Sequence, residues 1–76
     1  MALAFSTKWS EEVKRAMKGM TQLQVALKTG VSPSMIGNIQ NGRIPTDLNV
    51  VRKFAEAVGE DPEHWELFAK ICEFLG

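Results

Sequence analysis

Apolar residues recur at steps of three and four along five separate segments of the chain, with polar residues between them. This spacing places the apolar side chains of each segment on one face of an α-helix. The predicted buried positions are Trp9, Val13, Ala16, Met17 and Met20; Leu23, Ala26 and Leu27, with Val25 at the edge; Ile36 and Ile39; Leu48, Val51, Phe54, Ala55 and Val58; and Trp65, Phe68, Ala69, Cys72 and Leu75. The pattern predicts an all-α fold of five helices without strands.

Capping residues place the ends of these helices. The first helix begins near Ser6 or Ser10 and ends at Gly19, since serine caps helix N-termini and glycine stops helices. The predicted later helices run from Gln22 to Thr29 after a Thr21 cap, from Pro33 to Gln40 after a Ser32 cap, from Asp47 after a Thr46 cap to a stop at Gly59, and from Asp61-Pro62 to about Leu75. Residues 1–5 are apolar without a clear period, and we expect either a loose arm or a segment laid on the core.

The second and third helices form the unit around which the chain is organised, residues 21–42. Gly30 ends the second helix because glycine accepts the left-handed conformation that most residues resist. Val31 fills the turn, and Ser32-Pro33 opens the third helix at once. Two helices with so short a connection cross at a steep angle. This is the helix-turn-helix geometry, in which the second helix of the pair is presented to the major groove of DNA.

Size and composition predict one small domain over residues 1–76. The chain has 76 residues, of which 45% are hydrophobic, and this is enough for one core. No apolar run approaches the roughly 18 residues that a membrane span needs. Cys72 is the single cysteine, so we expect a reduced, cytoplasmic setting. A domain of this size is marginal alone, and burying surface in a homodimer would stabilise it.

The charged residues are divided unevenly along the chain, although the net charge is zero. Residues 1–53 carry eight Lys and Arg against three Asp and Glu, a net charge of +5. Residues 54–76 carry one Lys against six Asp and Glu, a net charge of −5. The helix-turn-helix therefore lies in the basic part, which favours a nucleic-acid partner, and the acidic end must face away from it.

Catalytic and metal chemistry has no support in the sequence. His64 and Cys72 are the only histidine and cysteine, and two lone residues do not make a zinc site. No Ser–His–Asp set, carboxylate pair or glycine-rich phosphate loop forms a recognisable motif. We therefore expect no enzyme, no cofactor and no small-molecule ligand domain, with Cys72 a small buried hydrophobe and His64 at the surface.

The spacing of the motif residues resembles that of a known family. Met20-Thr21-Gln22, Ala26, Gly30-Val31-Ser32, Ile36, Ile39 and Asn41-Gly42 are similar to the phage-repressor-like (lambda repressor-like, Cro/CI) helix-turn-helix family, and Leu48 to Gly59 resembles the helix that follows in it. The resemblance covers roughly residues 9–68. It implies a compact five-helix DNA-binding domain with the helix-turn-helix at helices 2 and 3.

The resemblance implies base contacts from Pro33, Ser34 and Asn38. An exposed Asn pairs with adenine N6 and N7, and Ser hydrogen-bonds with any base. Asn38 is also unfavourable in the middle of a helix and so needs a reason to be there. Pro33 offers only an apolar contact, such as to a thymine methyl. Since no arginine lies on this helix to bind guanine, DNA shape or two half-sites must supply the specificity.

The resemblance also implies phosphate contacts. The glutamine that opens the first motif helix binds a phosphate in the family, as does the asparagine of the terminal Asn-Gly, which implies these roles for Gln22 and Asn41. Arg43 follows where loop contacts to the DNA backbone occur. Together with Lys28, these residues would fix the register on DNA without reading its sequence.

Two hypotheses from different classes follow. The leading one is a DNA-binding transcriptional regulator, most simply a repressor, that binds double-stranded DNA as a homodimer. The alternative is a protein-interaction module that keeps the fold without binding DNA, which the neutral third helix favours. A third possibility is that the chain is the DNA-binding part of a longer protein.

The predicted dimer surface is the last helix, residues 62–75. Its apolar face is wider than one small core requires. The predicted interface residues are Phe68, Ile71, Phe74 and Leu75. Packing of the same side chains onto the first helix is the rival interpretation.

Overall fold

The computed structural model describes residues 6–75, which form five α-helices. They are α1 (Thr7–Ala16), α2 (Gln22–Thr29), α3 (Pro33–Gln40), α4 (Leu48–Ala57) and α5 (Pro62–Leu75). No strand occurs among these residues, so the all-α prediction is confirmed. The expectation for residues 1–5 falls outside the described part of the chain. None of the helices within residues 6–75 has the length and apolar character of a membrane-crossing segment.

The start of α1 distinguishes between the two predicted caps. Ser6 is the N-cap, and its Oγ accepts a hydrogen bond from the Trp9 amide at 3.1 Å. Ser10 lies one turn inside the helix, so it is not the cap. The predicted end at Gly19 was also wrong: α1 ends at Ala16, and a turn through Met17 leads to Gly19 at φ +84°.

Aromatic side chains from three helices form the centre of the core. Trp9 of α1 stacks on Phe68 of α5 with ring centroids 5.7 Å apart, and it meets Trp65 edge-to-face at 5.4 Å. Phe54 of α4 also meets Trp65 edge-to-face at 5.4 Å. Such pairs add about 0.5–1.5 kcal/mol each beyond the area they bury. The cluster fixes α1, α4 and α5 together, while α2 packs against α4 and α3 packs against α1.

The buried face of α2 differs from the prediction. Val25, Ala26 and Thr29 are buried, whereas Leu23 and Leu27 are 58% and 76% exposed. Leu23 and Leu27 lie four residues apart, so they form a helical stripe of their own. An eight-residue helix therefore offers two apolar faces, and packing against α3 and α4 covers the one that carries Val25.

The last two helices follow the sequence with small corrections. Asp47, not Thr46, caps α4 and accepts a hydrogen bond from the Asn49 amide. Asp61 accepts one from the Glu63 amide at the start of α5. Cys72 is buried as expected, and this burial raises the pKa of its thiol. Leu75 was predicted in the core stripe, but its side chain is 77% exposed.

Candidate nucleic-acid interface

Local hydrogen bonds determine both ends of α2. Thr21 Oγ1 accepts from the Gln24 amide at 3.1 Å, and Gln24 Oε1 accepts from the Thr21 amide at 2.8 Å, which completes a capping box. At the other end, Gly30 has the left-handed φ of +76°. The buried hydroxyl of Thr29 donates to the Val25 carbonyl and accepts from the Val31 amide. These bonds fix the turn, and with it the direction in which α3 leaves.

The exposed face of α3 is polar, and the opposite face of the helix packs into the core. Ile36 and Ile39 are fully buried, as predicted. Ser34, Asn38 and Asn41 are exposed and follow each other at steps of four and three, so they share one side of the helix. Pro33 is exposed at the first position, and the Ser32 Oγ accepts from the Met35 amide as the cap.

A side-chain hydrogen bond joins the first residue of α2 to the last residue of α3. The Gln22 Nε2 donates to the Gln40 Oε1 at 2.8 Å. The Gln22 amide group crosses α3 at Gly37, where an added Cβ would lie 3.3 Å from its Nε2. Sequence reasoning missed Gln40 and Gly37. The sequence did carry a signal for Gly37. A glycine in the interior of a helix lowers its stability by about 1 kcal/mol relative to alanine, so its presence there needs a reason.

The start of α1 fixes the end of α3. The Ser6 amide donates to the Gly42 carbonyl at 3.0 Å, and the Ser10 Oγ donates to the Gln40 carbonyl at 2.7 Å. Gly42 has φ +112°, and a Cβ there would lie 3.1 Å from the Ser6 carbonyl oxygen. The Arg43 amide donates to the Asn38 carbonyl and continues the turn.

Beside this junction lies a small polar cavity of about 220 Å³, lined by Ser6, Thr7, Ser10 and Asn41. The structure thus brings Asn41 to the N-terminus of α1. Sequence reasoning treated Ser6 and Ser10 only as alternative caps. The two serine hydroxyls gave no signal of this proximity, because the sequence does not show where the start of α1 lies relative to α3.

Ion pairs divide the basic residues into two groups. Arg15 pairs with Glu12 at 2.9 Å and with Glu60 at 3.4 Å. Arg52 pairs with Glu66 at 3.8 Å. Part of the charge contrast between the two halves of the chain is therefore neutralised across the fold. Within residues 6–75, Lys28 and Arg43 take part in no ion pair. Lys28 lies in the last turn of α2, and Arg43 follows the end of α3.

The comparison with protein families decides the identity of this unit. A family model described as helix-turn-helix matches residues 13–65, which is more than half of the chain. The chain belongs to the phage-repressor-like helix-turn-helix family. Neither the comparison with curated proteins nor that with solved structures found a match.

Membership of the phage-repressor-like family identifies the chain as a DNA-binding helix-turn-helix regulator. It also confirms the resemblance on which the site residues were assigned. The structure places Ser34, Asn38 and Asn41 on one exposed side of α3, and Gln22 against the neighbouring side. Contacts of these residues with DNA, and those of Pro33, Lys28 and Arg43, stay predictions. Among residues 6–75, no cluster of three His, Cys, Asp or Glu side chains forms a metal site.

Proposed function

We propose that this protein is a sequence-specific transcriptional repressor of the phage-repressor, antitoxin or controller type, which acts in the cytoplasm as a homodimer. The helix-turn-helix match over residues 13–65 carries this proposal. Its α3 enters the major groove, and the buried Ile36 and Ile39 keep that helix on the domain. The protein uses no cofactor and is not an enzyme.

The exposed side of α3 reads the bases. Asn38 pairs with adenine, Ser34 hydrogen-bonds with a neighbouring base, and Pro33 contacts a thymine methyl. The exposed Asn38 carboxamide and Ser34 hydroxyl support this assignment, since both face away from the core. Three such contacts give limited specificity, so the repressor binds two half-sites one helical turn apart.

Phosphates are bound at the two ends of the motif and at the last turn of α2. Gln22 and Asn41 provide neutral hydrogen bonds, and Lys28 and Arg43 provide positive charge. The bond from Gln22 to Gln40 leaves the second amide hydrogen of Gln22 and its carbonyl oxygen available while it restricts the side chain. A Gln22 restricted in this way loses less conformational freedom when it binds a phosphate.

A DNA titration at two salt concentrations tests the proposal. The protein is titrated into a random-sequence duplex, and the fraction bound is followed by fluorescence anisotropy. Two cationic phosphate contacts per protomer predict a log–log salt slope of roughly −2 per protomer bound. Lack of binding at low salt, or binding without a negative slope, would overturn the proposal.

Two lysine variants provide a matched pair for this titration. Lys28→Gln removes one cation from the motif and should reduce the salt slope by about 1. Lys70→Gln removes one cation from α5, in the acidic part of the chain, and should leave the slope unchanged. Selection of bound sequences from the same random duplex pool then gives the half-site.

The alternative function is a protein-interaction module. The exposed Leu23 and Leu27 on α2 favour it, because large apolar side chains at the surface of a motif helix are suited to contact with another protein. The same titration separates the two functions. A module of this kind would not bind duplex DNA at either salt concentration.

A further inference from the structure

The dipeptide Asn41-Gly42 at the end of α3 is the one Asn-Gly pair in the chain. An asparagine side chain before a glycine is open to attack by the next backbone nitrogen, because glycine has no Cβ to shield that nitrogen. The other two asparagines, Asn38 and Asn49, precede an isoleucine and a valine. These β-branched residues crowd the backbone nitrogen. Asn41 is therefore the most reactive asparagine of the chain by sequence.

The folded structure keeps this dipeptide out of the reactive geometry. Asn41 has φ −86° and ψ 4°, a conformation that turns the Gly42 nitrogen away from the Asn41 side chain. The Gly42 amide donates to the Ile39 carbonyl at 3.1 Å, so its proton is held. The Gly42 carbonyl accepts from the Ser6 amide at 3.0 Å. Ring closure needs rotation about ψ of Asn41, and this rotation breaks these bonds.

We propose that Asn41 is a site of spontaneous deamidation and that the turn at the end of α3 controls its rate. When the turn opens, a base removes the Gly42 amide proton, and the nitrogen attacks Asn41 Cγ. A C–N bond forms, the bond from Cγ to Nδ2 breaks, and the side-chain nitrogen takes up a proton and leaves as ammonia. Water then opens the five-membered ring at either carbonyl, which leaves an aspartate or an isoaspartate. Water is the only co-reactant, and no atom is oxidised or reduced.

Contacts from α1 hold this turn closed. Besides the bond from the Ser6 amide to Gly42, the Ser10 Oγ donates to the Gln40 carbonyl at 2.7 Å, directly before Asn41. A reaction that needs an opened state proceeds at the rate of the open chain multiplied by the open fraction. The rate of deamidation therefore depends on how tightly α1 is docked against α3.

Deamidation would alter the side of α3 that faces DNA, and this consequence rests on the proposed function. Asn41 is exposed on the same side as Ser34 and Asn38. Its carboxamide can donate hydrogen bonds, whereas a carboxylate only accepts them. The negative charge of the carboxylate also repels a phosphate. Isoaspartate adds one carbon to the main chain, so the turn cannot close as before. We expect each deamidated copy to lose DNA affinity permanently.

Incubation of the full chain without DNA tests the site and its dependence on the turn. Samples are kept at neutral and mildly alkaline pH, with and without a denaturing concentration of urea. Peptide mass spectrometry then measures the converted fraction at each asparagine. Conversion should occur at Asn41, rise with pH, and be faster in urea by more than about tenfold. Absence of conversion at Asn41 in the folded samples, equal rates with and without urea, or equally fast conversion at Asn38 or Asn49 would overturn the proposal.

Two variants that each lose one hydroxyl test the role of α1. Ser10→Ala removes the bond to the Gln40 carbonyl and should raise the rate at Asn41 in the folded protein by about fivefold, the effect of one hydrogen bond. Thr46→Ala removes an exposed hydroxyl from the loop before α4 and should leave the rate unchanged. In urea, both variants and the wild type should react at the same rate. A Ser10→Ala rate equal to that of the wild type in the folded protein would contradict the role of the turn.

A DNA titration of aged protein tests the consequence for binding. The affinity of the wild type should fall in proportion to the conversion at Asn41. Asn41→Gln should retain the affinity that it has when fresh, since its longer side chain closes a six-membered ring far more slowly. Unchanged affinity of fully converted protein would overturn the consequence for DNA. Fresh protein that does not bind duplex DNA would overturn the proposed function instead, and the conversion measured without DNA does not depend on that result.

Discussion

The Gln22 side chain donates a 2.8 Å hydrogen bond to the Gln40 side chain and thereby joins the first turn of α2 to the last turn of α3. The bond crosses α3 at Gly37, the one position on that side of the helix without a side chain. The missing side chain at Gly37 leaves room for the Gln22 amide group. This gives a structural reason for a glycine that lowers helix stability.

Gly37→Ala should separate stability from DNA binding. The new Cβ would lie 3.3 Å from the Gln22 Nε2, and the exposed Gln22 side chain can move away. Helix propensity then stabilises the fold by about 0.5–1 kcal/mol in urea denaturation. DNA affinity should fall, because Gln22 loses its position. As a control, Gly30→Ala should destabilise the fold, since φ there is +76°.

Asn38→Ala and Gln22→Ala should change DNA binding in different ways. The first removes a base contact and should cost about 1–3 kcal/mol at the preferred half-site only. The second removes a phosphate contact and should weaken binding to all sequences alike. Anisotropy titrations with the selected site and with a scrambled duplex measure both effects. An equal loss on the two duplexes for Asn38→Ala would contradict its assignment to a base.

Thr29→Val should destabilise the turn of the motif. The Thr29 hydroxyl donates to the Val25 carbonyl at 2.9 Å and accepts from the Val31 amide at 3.1 Å. Valine keeps the shape and loses both bonds, which should cost about 1–3 kcal/mol in urea denaturation. Thr29→Ser keeps the hydroxyl and should cost less. A Thr29→Ser variant less stable than Thr29→Val would contradict this account, because packing of the methyl group would then contribute more than the two hydrogen bonds.

The two buried tryptophans should respond differently to replacement by phenylalanine. The Trp65 Nε1 donates to the Glu60 carboxylate at 3.2 Å, whereas the Trp9 Nε1 is buried without a partner among residues 6–75. Trp9→Phe removes an unpaired donor, and Trp65→Phe removes a hydrogen bond. We expect Trp65→Phe to cost about 1 kcal/mol more. Fluorescence of the remaining tryptophan follows each denaturation, and equal losses would contradict this account.

Glu60 should make stability depend on pH in the acidic range. The hydrogen bond from Trp65, followed by that from Arg15, lowers the pKa of the Glu60 carboxyl below its ordinary value of 4.5. A lowered pKa in the folded state contributes stability above the unfolded value, and this contribution is lost as pH falls through the folded value. Below pH 4.5, the Tm of the wild type should therefore fall more steeply than that of Glu60→Gln. Parallel Tm curves would contradict this.

The bounds of α2, α3 and α5 could be predicted because their signals are local. Thr21, Gly30, Ser32-Pro33 and Asp61-Pro62 act on the backbone within a few residues, wherever the rest of the chain lies. The buried face of α2 could not be predicted in this way. Leu23 and Leu27 have the same helical spacing as the buried residues, and only the positions of α3 and α4 decide between the two faces.

In the candidate site too, the features that depend on local sequence were predictable and the contacts between distant residues were not. Asn38 and Ser34 are exposed where the helical period places them, since Ile36 and Ile39 fix the orientation of α3. The bond between Gln22 and Gln40 spans 18 positions, and the approach of Ser10 to Gln40 spans 30. No local pattern encodes such distances, because they depend on how whole helices cross.

The bonds from Ser6 to Gly42 and from Ser10 to Gln40 have a consequence for folding. An isolated helix of eight residues is unstable, and the end of α3 is held by residues that lie some thirty positions earlier in the chain. We therefore expect α3 to form together with the docking of α1, in one cooperative transition. We expect the amide hydrogens of α3 to exchange with solvent through global unfolding, so the fraction of protein able to bind DNA equals the fraction folded.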